Sequence, residues 1–230
     1  MLESDKYSGI AGASQGLYRD KGSRFIGYAF PVSSEEEVKN LVDGIRREHH
    51  GARHHCWAYR IATIEDPSSV MPGQSSVSPG PSSVMPDLIG HLPEPRLSRE
   101  GLWRANDDGE PSGTAGRQIL ARIDAAGLKD VLVVVVRYFG GILLGVPGLI
   151  AAYRAATDDA LANARIIEKT AAREWTLQCS YADLPGVEGE LKNLGLQPSG
   201  RDFAEDCRFL LKVPIGKEKT FKEKFYNFIK

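Results

Sequence analysis

This sequence is short of cysteine, of net charge and of unbroken apolar length, and each shortage closes a class of function. Its three cysteines, Cys56, Cys179 and Cys207, are odd in number, far apart and form no C-x-x-C pair. That argues against a disulfide framework and for a reducing compartment. Lysine and arginine total 29 against 30 acidic residues, a net charge of −1 with a pI near 6.5. No blanket attraction to nucleic acid or anionic membrane follows, so any RNA contact must come from a local patch. The amino end, MLESDKYSGI, has no basic segment ahead of an apolar one, as a signal peptide would. The most apolar stretch, VLVVVVRYFGGILLGVPGLIAAY, is broken by Arg137, four glycines and Pro147. No uninterrupted span within it reaches the roughly 20 residues that a membrane helix needs. A cytoplasmic protein without membrane contact is expected.

What is present reads as alternating strands and helices. SRFIGYAFPV (Ser23 to Val32) is a first strand, and SSEEEVKNLVDGIRREHH a helix with Ser33 or Ser34 as cap and glutamates in its first turn. HHCWAYRIATI (His54 to Ile64) is a second strand. Between Asp66 and Glu100, Pro, Ser and Gly supply 18 of 35 residues, and PSSVMP occurs twice, at 67–72 and 81–86. Such a segment buries too little to fold and reads as a disordered insertion. GRQILARIDAAG is a helix closed by Gly127, KDVLVVVVRYF a strand buried on both faces, and GLIAAYRAATDDALANARI an alanine-rich helix. The remainder gives β-α-β-β-α, from REWTLQCSY to KEKTFKEKFYNFIK, with Phe221, Phe225 and Phe228 on the buried side of the last helix. The expected boundaries are 1–168 for an N-terminal domain containing the 66–100 insertion, and 173–230 for a C-terminal one.

The densest chemistry lies in DDGEPSGTAG, where Asp107, Asp108 and Glu110 share ten residues with three glycines, Pro111, Ser112 and Thr114. No G-x-x-x-x-G-K-[ST] phosphate loop is present, and the glycines at 140, 141, 145 and 148 do not follow G-x-G-x-x-G. The first amides of the helix holding Leu149 remain open to an anion or to a purely structural role. The carboxylates suit a divalent cation or acid–base work, but adjacent aspartates in a turn more often bond to nearby amides. Ser112 lies outside any G-x-S-x-G elbow. His49, His50, His54, His55 and Cys56 invite a zinc reading, yet strand alternation lets only His54 and Cys56 share a face, and no second ligand pair has zinc spacing. No metal, cofactor or catalytic residue is assigned.

DDGEPSGTAGRQIL, followed by VLVVVVRYFGGILLGVPGL and AAY, resembles the IMPACT/YigZ family. KGSRFIGYAFPVSSEEEV and ARHHCWAYRI resemble that family's earlier blocks, in order. The resemblance implies an α+β protein. Its N-terminal α/β domain would be like the second domain of ribosomal protein S5, and its small C-terminal domain ferredoxin-like. Here that domain lacks its last strand, which would leave the REWTLQCSY strand exposed at a sheet edge and open to self-association. It further implies a link to translation: eukaryotic members restrain the amino-acid-starvation kinase by competing for its activator. Leu143 stands in a lysine's usual place, Pro147 in a glycine's, Ala151 in an arginine's and Gln118 in a proline's. Two lost cations weaken a phosphate or RNA reading.

The expected function is therefore a non-catalytic binding protein contacting ribosome, RNA or a translation-regulating protein, with no signal specific for DNA. Its groove would be lined by Arg24, His54, Asp107, Asp108, Gly109, Glu110, Ser112, Gly113, Thr114, Arg137, Tyr138, Phe139, Gly140, Gly141 and Tyr153. The alternative is an enzyme or metabolite binder using a small molecule or metal at Asp107, Asp108 and Glu110.

Overall fold

The computed structural model describes residues 6–62, 96–98 and 101–229, and the chain divides into two compact units. The larger spans Ile10–Arg165; the smaller comprises Met1–Gly9 and Ile166–Lys230.

The larger unit is built on a six-stranded antiparallel sheet. Its strands are β2 (Ser14–Asp20), β3 (Ser23–Pro31), β4 (His54–Ile61), β5 (Arg96–Ser98), β6 (Gly101–Asn106) and β7 (Val131–Tyr138), in the order β2-β3-β7-β4-β6-β5. The valine run of β7 is central. Val131, Val133 and Val135 enter the core under helices α2 (Gly116–Ala125) and α3 (Gly145–Ala162), while Leu132, Val134 and Val136 enter the core under α1 (Glu35–Glu48). A continuous β-branched run is common in parallel sheets; here helices on both faces of an antiparallel sheet impose it. Helix α1 starts as its sequence indicates: Ser34 Oγ accepts from Glu37 N at 3.2 Å, and the Glu37 carboxylate accepts from Ser33 N at 2.6 Å. Such a reciprocal cap contributes about 1 kcal/mol.

Two corrections concern this unit. The SRFIGYAFPV strand is not the first, because β1 (Lys6–Ile10) and β2 precede it. An edge strand such as β2, with exposed Gln15, Leu17 and Arg19, carries little of the alternation that betrays a strand. The expected disordered insertion lies outside the described residues except at Arg96–Ser98, which pairs with β6 as strand.

In the smaller unit β1 pairs with β8 (Ile166–Thr170). A separate sheet has the order β10-β11-β9, from β9 (Ala172–Cys179), β10 (Pro198–Phe203) and β11 (Cys207–Pro214), with helices α4 (Leu184–Asn193) and α5 (Ile215–Phe225). Phe221 and Phe225 are fully buried with Leu177, Phe209 and Leu211. The β9 edge is not fully open as expected. Gln178 N donates to Phe228 O at 2.8 Å and Leu177 bridges antiparallel to Ile229, because α5 ends at Phe225 and the following turn returns the chain to the sheet.

Candidate functional site

The acidic turn joins β6 to α2, and its carboxylates hold that junction. Helix α2 has Ala115 at its N-cap, which offers no side-chain acceptor. Asp107 supplies one from a distance: Oδ1 accepts from Ala115 N (3.0 Å) and Gly116 N (2.8 Å), and Oδ2 from Gly113 N (2.8 Å). A carboxylate at a helix N-terminus meets both free amides and the positive end of the macrodipole. Gly116 is required here, because a Cβ would stand 2.6 Å from Asn106 N. Thr114, buried, donates to Pro111 O at 2.6 Å, whereas Ser112 is exposed.

Asp108 sits in the left-handed region at φ 44°, and Gly109 follows at 84°. Its carboxylate accepts from Arg46 Nη2 (2.8 Å) and His55 N (2.7 Å). Its carbonyl accepts from His54 Nδ1 at 2.8 Å, so in the neutral ring the proton stays on Nδ1 and the lone pair on Nε2. Glu110, with its side chain 3% exposed, meets Arg137 Nη1 at 2.5 Å and accepts from Tyr153 OH at 2.9 Å. Cys56 Sγ lies 2.9 Å from Asp107 O and 3.3 Å from Tyr153 OH. Burial raises both the Cys56 thiol and the Tyr153 phenol well above their ordinary ranges, so neither is a ready anion.

The glycine turn after β7 is put together differently. Gly140 packs so closely on the β2–β3 turn that a Cβ would lie 1.9 Å from Gly22 C, and its amide donates to Ser23 Oγ at 3.1 Å. Beyond it Gly141 and Gly145 take φ of 88° and 70°. Helix α3 then begins without a side-chain cap or an acidic residue in its first turn. Beside it opens a cavity of about 340 Å³, lined by Arg53, His54, Glu110, Arg137, Phe139, Leu143 and Val146 among others.

These features do not all meet in one groove. His54, Glu110, Arg137 and Phe139 share the cavity, with Tyr153 buried behind Glu110. Arg24 and Tyr138 line a separate hollow of about 490 Å³ with Arg19 and Lys21, where the Arg24 guanidinium lies 4.6 Å over the Tyr138 ring. The reason is strand alternation: Arg137 and Tyr138 are consecutive on β7 and face opposite sides of the sheet. There the Tyr138 and Tyr28 hydroxyls bracket His49 at 2.9 and 2.7 Å. Among the described residues, no three His, Cys, Asp or Glu side chains stand where they would hold a metal ion.

Residues 21–161, which contain both turns, match the family model described as the Impact N-terminal domain. The chain belongs to the IMPACT family. IMPACT family member YigZ of Escherichia coli is 32% identical over 208 residues, covering 90% of this chain and 86% of its own. IMPACT family member YvyE of Bacillus subtilis is 30% identical, covering 87% and 76%. A crystal structure of a hypothetical protein superposes with a TM-score of 0.63 at 30% identity, covering 96% of this chain and 92% of the other. The two-domain translational regulator Yih1 aligns at 23% identity over 71% of this chain and 52% of its own, with a TM-score of 0.35, too poor a superposition to argue from.

In this IMPACT-family chain the sequence motifs locate the acidic and glycine turns but miss four contributors. Arg46 holds Asp108 from 62 residues away, Arg53 lines the cavity, and Leu143 and Val146 form its apolar lip. No local signal marks Arg46 or Arg53. Leu143 was readable only as a missing cation, although it is an exposed apolar residue.

Proposed function

We propose that this IMPACT-family chain is a non-catalytic binding protein linked to the regulation of translation, and that its groove beside the glycine turn contacts the partner. One observation carries the reading: the three carboxylates that looked reactive are all committed to structure. Asp107 serves three amides, Asp108 serves Arg46 and His55, and Glu110 serves Arg137 and Tyr153. A general acid or base needs a carboxyl free to reach substrate, and a metal site needs converging oxygens. The cavity instead presents apolar surface around a neutralised ion pair, which suits recognition. The second hollow, where Arg19, Lys21 and Arg24 outnumber Asp20, adds the local net positive charge that contact with ribosomal RNA would need.

The same reading takes the larger unit as like the second domain of ribosomal protein S5 and the smaller as ferredoxin-like. The order β10-β11-β9, with Ile229 returning beside Leu177, supports the second assignment.

Co-sedimentation of the full chain with ribosomes and with free RNA across a salt series tests the proposal. Saturable pelleting that fades with salt is expected, with Arg24→Ala lowering the log–log salt slope by about 1 for each phosphate that the arginine neutralises. Absence of pelleting at low salt, together with a rise in melting temperature on adding Mg²⁺ that Asp108→Asn removes, would replace the binding reading with the metal-dependent one.

A further inference from the structure

We propose that the cavity beside the glycine turn binds a small carboxylate with an apolar body, its head on the first amides of α3 and its body against Phe139, Leu143 and Val146. The inference rests on the binding reading of the same groove and adds the chemistry of what enters it.

Three separate features call for an anion. First, the initial amides of an α-helix have no intrahelical acceptor, and α3 lacks the side-chain cap that commonly supplies one. Gly145 and Val146 are exposed, no described residue accepts from their amides, and Pro147 has no N–H to share the role. Second, Arg137 lines the cavity with its side chain 7% exposed, yet among the described residues only its Nη1 has an acceptor. Its Nε is buried and meets no hydrogen-bond acceptor among the described residues. Third, Arg53 lies on the same cavity wall, 5.9 Å over the Phe139 ring, and pairs with no carboxylate among the described residues. Opposing these is Glu110, already matched to Arg137. The surplus is one guanidinium plus the partial positive charge of a helix terminus, which fits one negative charge better than two.

The lip requires the rest of the ligand to be apolar. Leu143 is 82% exposed, Ile142 55%, Val146 51% and Phe139 41%, all within one turn and the start of one helix. A contiguous apolar surface rimmed by polar groups marks a site to be covered. The volume of about 340 Å³ is near the lower end for small-ligand pockets, so the body is about the size of a phenyl or branched alkyl group. Two sources carry this chemistry: a free organic acid, or the carboxyl end of a peptide whose last side chain is apolar.

The test is an amide-resolved NMR titration of the full chain with 4-phenylbutyrate, with N-acetyl-glycyl-leucine, and with 4-phenylbutyramide as the uncharged control. Expected are shifts at the Gly145 and Val146 amides and binding of an acid at least about tenfold tighter than of the amide. Val146→Asp separates binding from folding. An acidic residue in the first turn favours the helix, so the fold and melting temperature are kept, while its carboxylate occupies the same amides and weakens binding about tenfold or more. Leu143→Lys tightens binding and Leu143→Glu weakens it. Tighter binding of phenylbutyrate assigns the free acid, and tighter binding of the dipeptide assigns a chain terminus. Equal binding of acid and amide, silence at Gly145 and Val146 up to about 10 mM ligand, or unimpaired binding by Val146→Asp would overturn the proposal. Ribosome pelleting that Leu143→Glu abolishes, without carboxylate binding, would reject this ligand and leave the groove standing; failure of both pelleting and carboxylate binding would remove both readings.

Discussion

The two turns that meet at the cavity are built on opposite plans. From Asp107 to Gly116 every carboxylate has its donors within the protein, and the segment is fastened to α1, β4, β7 and α3 by side-chain bonds. From Gly141 to Val146 the chain bonds to little else, exposes Ile142, Leu143 and Val146, and opens α3 with uncapped amides. The contrast reverses what residue type suggests. The segment rich in reactive groups is the scaffold, and the bland one is the surface left open to a partner. A buried, satisfied polar network fixes a unique geometry, and here that geometry positions the apolar lip.

The largest expected effect would break the scaffold half of this comparison. Glu110→Ala removes the counter-ion of a guanidinium that is itself buried, which typically costs about 3–5 kcal/mol. Urea denaturation should show that loss as a lower midpoint with an unchanged slope. Replacing the pair together, as Glu110→Leu with Arg137→Met, should recover most of it, since no lone charge then remains buried. A single-variant loss below about 1 kcal/mol would mean that the pair is wet, and the contrast between the turns would fail. Asp107→Ala comes next, at about 2 kcal/mol, because three amides including two at the α2 terminus lose their acceptor. Asp107→Asn should fall between, since one oxygen remains to accept.

How far this was legible in the sequence depended on how local each cause is. The β7 valine run, a cap at Ser33 or Ser34 and the closure of α2 at Gly127 are written within a few residues; each formed, and the structure chose Ser34 for the cap. Strand alternation correctly put His54 and Cys56 on one face and His55 on the other. The use of Asp107 could be narrowed only to bonding nearby amides, because its acceptor role depends on a turn that brings residues six to nine positions on back to it. The Arg46–Asp108 pair needs α1 and the β6–α2 turn to be neighbours, which no local pattern states. Strand β2 escaped because it is a polar edge. Grouping Arg24 with Arg137 failed because motif order says nothing of face: Arg24 on β3 stands opposite Tyr138 on β7, and Arg137, one residue earlier on β7, takes the other side of the sheet.

A smaller effect sharpens the scaffold half by pH. His55 donates Nε2–H to His49 O at 3.1 Å, and burial lowers its proton affinity below the ordinary histidine value. The unfolded chain therefore binds the proton more readily than the folded one. The stability this group contributes is complete above the unfolded histidine pKa of about 6.5 and is lost as pH falls through the lowered folded value. Melting temperature should thus fall as the medium is acidified below neutrality, and His55→Gln should flatten that part of the curve. An unchanged curve in the variant would locate the acid sensitivity elsewhere.

The smallest stability change is expected where binding should change most. Leu143 is 82% exposed, so Leu143→Ala removes apolar surface that is already in water and should move stability by less than about 0.5 kcal/mol. Its side chain nonetheless forms the outer wall of the cavity, and any partner that covers the lip gains by burying it at about 25 cal/mol per Å². The comparison between the turns therefore predicts a crossed pattern: Asp107→Ala lowers stability and impairs binding only as far as the fold loosens, while Leu143→Ala leaves stability intact and weakens the groove directly. Paired urea melts and ribosome co-sedimentation on these two variants read both axes at once. If Leu143→Ala lowered stability as much as Asp107→Ala, the glycine turn would be packed scaffold like its neighbour. The open half of the comparison would then have no structural basis.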